Sequence, residues 1–125
     1  MTLTEGQSLR EAIVLMQRHH IRHIPVVEGE RVIGLVTDRD VKRATPSLLS
    51  GVDQEQFDEV LSRTRIAQVM TRDPFTVTPS TSLKDAVKVV IQRKFGALPV
   101  VEGEKLVGII TATDLLRAFY EMLEE

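Results

Sequence analysis

Apolar side chains at Leu9, Ala12, Ile13 and Met16, and again at Leu83, Ala86, Val87 and Val90, recur every three to four residues. That is the period of a helix with one buried face. Each series follows a serine with an acid three residues on, Ser8 with Glu11 and Ser82 with Asp85. This is the capping-box pattern, in which hydroxyl and carboxylate satisfy free backbone N–H groups, so it predicts where the helices begin. After each helix the period changes. Residues 24–27 and 98–101 are short apolar runs rich in β-branched side chains, and Pro25 and Pro99 stop the helix from continuing. They read as buried strands, with the proline at a first strand position or an edge. Turns at Glu28, Gly29, Glu30 and at Glu102, Gly103, Glu104 lead into residues 31–36 and 105–110, so each run becomes a hairpin with a second helix after it.

The two halves are one pattern repeated. Sliding the chain by 74 positions lays SLREAIVLMQRHHIRHIPVVEGERVIGLVTDRDV over SLKDAVKVVIQRKFGALPVVEGEKLVGIITATDLL without a gap, and PVVEGE is identical in both. A duplication is the simplest explanation. Residues 1–45 are expected to form the first motif, 46–64 a linker and 65–125 the second motif. Within the linker, residues 45–51 read as a loop, and residues 53–63 as an exposed helix turning Phe57, Val60 and Leu61 inward. The second motif has a leader, residues 66–71, running into a strand-like stretch at 75–78. Residues 1–4 align with that stretch, so the chain reads as starting part-way into its first repeat. The final helix carries Leu115, Leu116, Phe119, Met122 and Leu123 at helical spacing, a broad apolar face for the other motif or another subunit.

Composition narrows the function classes. With 125 residues, 42% of them hydrophobic, the chain can bury one sizeable core or two small fused ones, and one compact unit is expected. A net charge of −2 with no long basic block argues against nucleic acid as the main partner. Without cysteine there is no disulfide framework, thiolate nucleophile or cysteine-bound zinc, which fits a reducing cytoplasm. The apolar runs are too short to span a membrane, and a soluble protein is expected.

Candidate chemistry sits where each hairpin ends. Gly34 to Asp40 and Gly108 to Asp114 both read Gly, two apolar residues, Thr, two variable residues, Asp. A glycine inside a strand points to a tight approach, by a ligand or by a packed element. Threonine beside unpaired helix N–H groups suits phosphate oxygens. An aspartate, which only accepts, suits the hydroxyls of a ribose. Together they point to a nucleoside phosphate, while Thr37 with Asp40 and Thr111 with Asp114 equally satisfy the capping pattern. Arg22, His23 and Arg39 face Gly96, Ala97 and Thr113 in the repeat, so two unequal sites are expected. His19, His20 and His23 offer an i, i+4 pair, but Pro25 lies close and no acidic ligand accompanies them, so no metal is expected. Neither a nucleophile with its base nor a phosphate loop can be picked out, so the chain is not expected to be an enzyme.

VMTRDPFTVTPSTSLKDAV followed by FGALPVVEGEKLVGIITATDLL closely resembles the CBS motif, and residues 1–41 resemble most of another copy. The run IRHIPVVEGERVIGLVTDRDVKRATPS is most similar to the acetoin utilization branch of that family. The resemblance implies an α/β fold of two β-α-β-β-α units in a pseudo-twofold pair, with adenosine compounds bound in clefts between motifs. By position it implies one site from Thr37, Arg39 and Asp40 with Phe75, Val77, Lys94, Ala97, Leu98 and Pro99. A second would use Thr111, Thr113 and Asp114 with Leu3, Arg22, His23, Ile24 and Pro25. The implied ligands are AMP, ADP, ATP or S-adenosylmethionine; the implied partners are a second copy in a homodimer and a separate effector protein. A structural dimerisation module with empty clefts is the alternative. An enzyme of acetoin metabolism shares only a pathway label.

Overall fold

A computed structural model describes residues 1–124. The described chain is a mixed α/β fold that divides, not into the one compact unit expected, but into two, Met1–Gly29 with Ile33–Asp73, and Glu30–Val32 with Pro74 onward, because each repeat gathers its own hydrophobic core.

In the first unit α1 (Leu9–His19) is capped by Ser8, whose hydroxyl accepts the Glu11 N–H at 3.2 Å. The expected box is only half closed. The Glu11 carboxylate instead accepts from the Gln7 side-chain amide at 2.6 Å, a partner one turn back that competes for it. α1 ends at His20, which adopts the left-handed conformation (φ 53°). His23 already lies in β1 (His23–Glu28), so His19 and His23 do not share a helix face. β1 turns through Gly29, whose φ of 63° favours a residue without Cβ, into β2 (Arg31–Thr37). The closing helix α2 (Asp38–Ala44) follows at once.

The linker is more structured than expected. Within residues 45–51 there is one 3₁₀ turn, Leu48–Ser50. Asp53 and Gln56 then form a full capping box that starts α3 (Gln54–Arg63), with Leu61 buried and Phe57 and Val60 half-buried. The leader forms a single turn, α4 (Ile66–Val69), and β3 (Thr71–Arg72), which pairs antiparallel with β2 at Gly34 and Leu35. In sequence this block opens the second repeat; in space it packs on the first unit. The Leu9 N–H donates to the Thr64 carbonyl and the Ile66 N–H to the Gln7 carbonyl, both at 2.8 Å. Ile66 and Met70 thereby enter the core of Leu3, Ala12, Met16, Ile24, Val26 and Val36.

The second unit repeats the order with α5 (Leu83–Arg93), β4 (Ala97–Glu102), β5 (Lys105–Thr111) and α6 (Ala112–Met122). β4 and β5 pair antiparallel from Ala97 with Thr111 to Glu102 with Lys105, with a bulge at Val100 and Val101. The opening strand expected at residues 75–78 shrinks to one parallel bridge, Val77 with Val100, as Leu3 bridges Val26 in the first unit. Thr78 and Thr81 explain the shortening. The Thr78 N–H donates to Thr81 Oγ1 at 3.0 Å and the Thr81 N–H returns to the Thr78 carbonyl, a local turn that competes with sheet pairing. The core here is smaller, Val77, Ala86 and Leu98 with five half-buried neighbours.

Candidate functional site

Each unit seats the residues before its hairpin against the start of its closing helix by the same bond. The Asp38 N–H donates to the Arg22 carbonyl at 2.9 Å, and the Ala112 N–H to the Gly96 carbonyl at 2.9 Å. In the first unit this brings Arg22 and His23 to the end where Thr37, Arg39 and Asp40 stand. Leu3 lies beside Pro25, whose carbonyl accepts its N–H at 2.9 Å, and Ile24 is fully buried next to it.

Thr37 and Asp40 form a complete capping box. The Thr37 N–H donates to Asp40 Oδ2 at 2.9 Å, and the Asp40 N–H to Thr37 Oγ1 at 3.1 Å. Thr111 and Asp114 do the same at the same two distances. Spacing alone left capping open as an alternative; it is what these residues do. The unpaired N–H groups expected beside the threonines are mostly taken, since Thr37, Asp38 and Asp40 all donate within the unit. Among the described residues the Arg39 N–H is the free one in that first turn, as is the Thr113 N–H in the other.

The cap uses one carboxylate oxygen of each aspartate. Among the described residues Asp40 Oδ1 accepts no hydrogen bond, while Asp114 Oδ1 lies 3.9 Å from the Arg117 guanidinium. Their surroundings differ more than their geometry. Asp40 is only 7% exposed, whereas the Asp114 side chain is 49% exposed. Burial pushes His23 below the ordinary imidazole value; Asp38 opposes this and Arg22 adds to it. Unit two offers Ala97 and Thr113 at the equivalent places, with no charge.

Of the remaining second-unit residues, Val77, Ala97, Leu98 and Pro99 are buried, and Lys94 is an exposed left-handed helix cap with φ 56°. Phe75 is 39% exposed, with the Arg93 guanidinium 5.4 Å from its ring centroid and Phe95 6.3 Å away at 39°. Arg93 and Phe95 were not picked out in the sequence, although both flank Lys94. Among the described residues no three His, Asp or Glu side chains converge as metal ligands, and no helix is long and apolar enough to cross a membrane.

Two helix-capped hairpins in tandem are the architecture of a CBS pair, and the comparisons agree. The CBS domain matches residues 1–47 and 66–121, and the chain belongs to that family. The CBS domain-containing protein YhcV of Bacillus subtilis is 33% identical over 114 residues, 91% of this chain and 74% of the relative. The structure of an acetoin utilization protein (AcuB) from Vibrio cholerae is 32% identical with a TM-score of 0.78, covering 98% of this chain and 84% of that one. The structure of CBSX2 of Arabidopsis thaliana in complex with AMP is 25% identical with a TM-score of 0.81, covering 99% and 90%.

Proposed function

We propose that this chain is a regulatory module that binds an adenine nucleotide, with Thr37, Arg39 and Asp40 as its principal recognition group. One observation carries this reading: Asp40 is buried, and its cap fixes its orientation while Oδ1 stays uncommitted. Asp40 accepts from ribose hydroxyls, the Thr37 hydroxyl donates to a phosphate oxygen, and the Arg39 guanidinium neutralises phosphate charge. The AMP bound by CBSX2 supports this ligand class. Thr111, Thr113 and Asp114 are the weaker group, because Asp114 is exposed and Thr113 stands where the first unit has Arg39. Leu3, Ile24 and Pro25 in the first unit, and Phe75, Val77, Ala97, Leu98 and Pro99 in the second, are apolar residues available to a base only through small local shifts, since most are buried, and Lys94 is a further cation for phosphate.

In this reading the chain regulates and does not catalyse, works in the cytoplasm and acts on a separate effector protein. Its ligand shifts that effector by no more than the difference in affinity for its two states. Thermal melting with AMP, ADP, ATP and S-adenosylmethionine tests the reading. A ligand at a hundredfold excess over its Kd adds about 2.7 kcal/mol of stability. A melting point unmoved by all four compounds would contradict it.

The closed capping boxes favour a second reading, in which both Thr-Asp pairs only start helices and the chain is a self-associating module. Leu116, Tyr120 and Leu123, each more than 60% exposed on or just after α6, would then form a homodimer face. Sedimentation would find a dimer whose strength no adenosine compound changes.

A further inference from the structure

Of the apolar residues that the second unit offers to a base, Phe75 is the one at the surface; Val77, Ala97, Leu98 and Pro99 are buried. Its place follows from the chain around it. Val77 is pinned to β4, its N–H donating to the Pro99 carbonyl at 3.0 Å and its carbonyl accepting the Val101 N–H at 2.8 Å. Phe75 stands two residues earlier, at the rim of the small core, beside Phe95, which packs on that core.

A phenyl ring on an unpaired stretch of surface chain is usually free to turn. Here two neighbours hold it. The Arg93 guanidinium lies 5.4 Å from its centroid, and the Phe95 ring 6.3 Å away at 39°. Both come from one helix end. Arg93 is the last residue of α5, and Lys94 after it takes the left-handed conformation, which turns the chain so that Phe95 also reaches Phe75. Arg93 has no other occupation: among the described residues it makes no ion pair and no side-chain hydrogen bond, whereas Arg10, Arg63, Arg72 and Arg117 all pair with acids. A cation over a ring is attracted by its electron-rich face. The repeat does not supply this arrangement in the first unit, where Met1, His19 and Ile21 stand at the positions of Phe75, Arg93 and Phe95.

We infer that Arg93 is a positioning residue for base recognition, which with Phe95 fixes the Phe75 ring as a platform for stacking a planar heteroaromatic base. The inference rests on the nucleotide-binding reading above and adds to it a residue through which the base is preferred. A ring already held loses less freedom when the base arrives, so more of the stacking energy appears as affinity. Between its two neighbours Phe75 still keeps 39% of its surface open, and that surface is what a base meets.

The test is calorimetric titration of AMP into the whole chain, Arg93→Ala, Phe75→Leu and the double variant, with thermal melting to verify that each folds. Phe75→Leu should weaken AMP about fivefold to a hundredfold, the range of one base–aromatic stack. Arg93→Ala should weaken it about twofold to fivefold, and should add nothing once Phe75→Leu is present. Arg93→Lys keeps the cation without the flat stack and should restore part of the loss. AMP affinity unchanged in Arg93→Ala overturns the inference, even where the melting point falls, because the contact then serves stability alone. A loss that persists in full beside Phe75→Leu also overturns it, since the guanidinium then meets the phosphate directly. Absence of AMP binding by the wild-type chain removes the nucleotide reading itself, and this inference with it.

Discussion

The two units carry nearly the same pattern of residues and hold it in different surroundings. Leu9 and Leu83 begin equivalent helices behind equivalent serine caps, yet one is fully buried and the other lies in an open groove. Asp40 and Asp114 close identical boxes, yet one is buried and the other exposed. A duplicated sequence therefore copies local geometry and leaves burial to whatever packs on each copy. Dissimilar function can follow from that alone, because a buried carboxylate is screened less by solvent and is better fixed than an exposed one.

Substitution in matched pairs sharpens the contrast. The largest difference is expected for Leu9→Ala against Leu83→Ala. The first opens a cavity in the core and costs about 2–5 kcal/mol, while the second falls within about 0.5 kcal/mol, as read by urea unfolding. Next comes Gly34→Ala against Gly108→Ala. The first must displace Met70 and presses on the Thr71 backbone, costing about 1–3 kcal/mol. The second meets nothing closer than 3.9 Å and should be neutral, or stabilising by up to about 1 kcal/mol through the unfolded chain. Equal losses in either pair would mean that the second unit is as well covered as the first.

Removing the caps gives a smaller effect. Thr37→Ala and Thr111→Ala each lose one N-cap acceptor, worth about 1 kcal/mol. Thr37 should cost more, because its box holds a buried aspartate. The smallest effect is the pH dependence of His23. Its folded pKa lies below the unfolded value, so the unfolded chain binds more protons in that window. The stability from keeping it neutral is complete above the unfolded value and is lost as pH falls from about 6.5 toward the folded pKa. His23→Gln should flatten the melting profile across that acid window, and an unchanged slope would remove His23 as its source.

Much of the fold is legible in the chain because it is set locally. Ser8, Ser82, Thr37 and Thr111 mark helix starts by hydrogen bonds that reach three residues, and Gly29 and Gly103 mark turns by their backbone conformation. What stays hidden depends on distant partners. The sequence marks residues 66–71 only as a leader to the second repeat, and which unit its apolar side chains pack on depends on partners far along the chain. The role of Gly34 stayed open for the same reason, since ligand and packed side chain ask for the same missing Cβ. Gln7 taking the Glu11 carboxylate is a competition between two nearby partners, which a motif does not resolve. At the site, the Thr-Asp spacing revealed the boxes, while the burial that separates Asp40 from Asp114 came only with the fold.

Calorimetric titration of AMP into the wild-type chain, Asp40→Asn and Asp114→Asn, each checked by melting to be folded, tests the unequal-site proposal most directly. Loss of a charged hydrogen-bond acceptor is worth about 1.5–3 kcal/mol. Saturable wild-type binding should therefore weaken by about tenfold to a hundredfold in Asp40→Asn and by clearly less in Asp114→Asn. Equal affinity in all three proteins, or no binding in any of them, would contradict Asp40 as the ribose acceptor and leave the two boxes as helix caps alone.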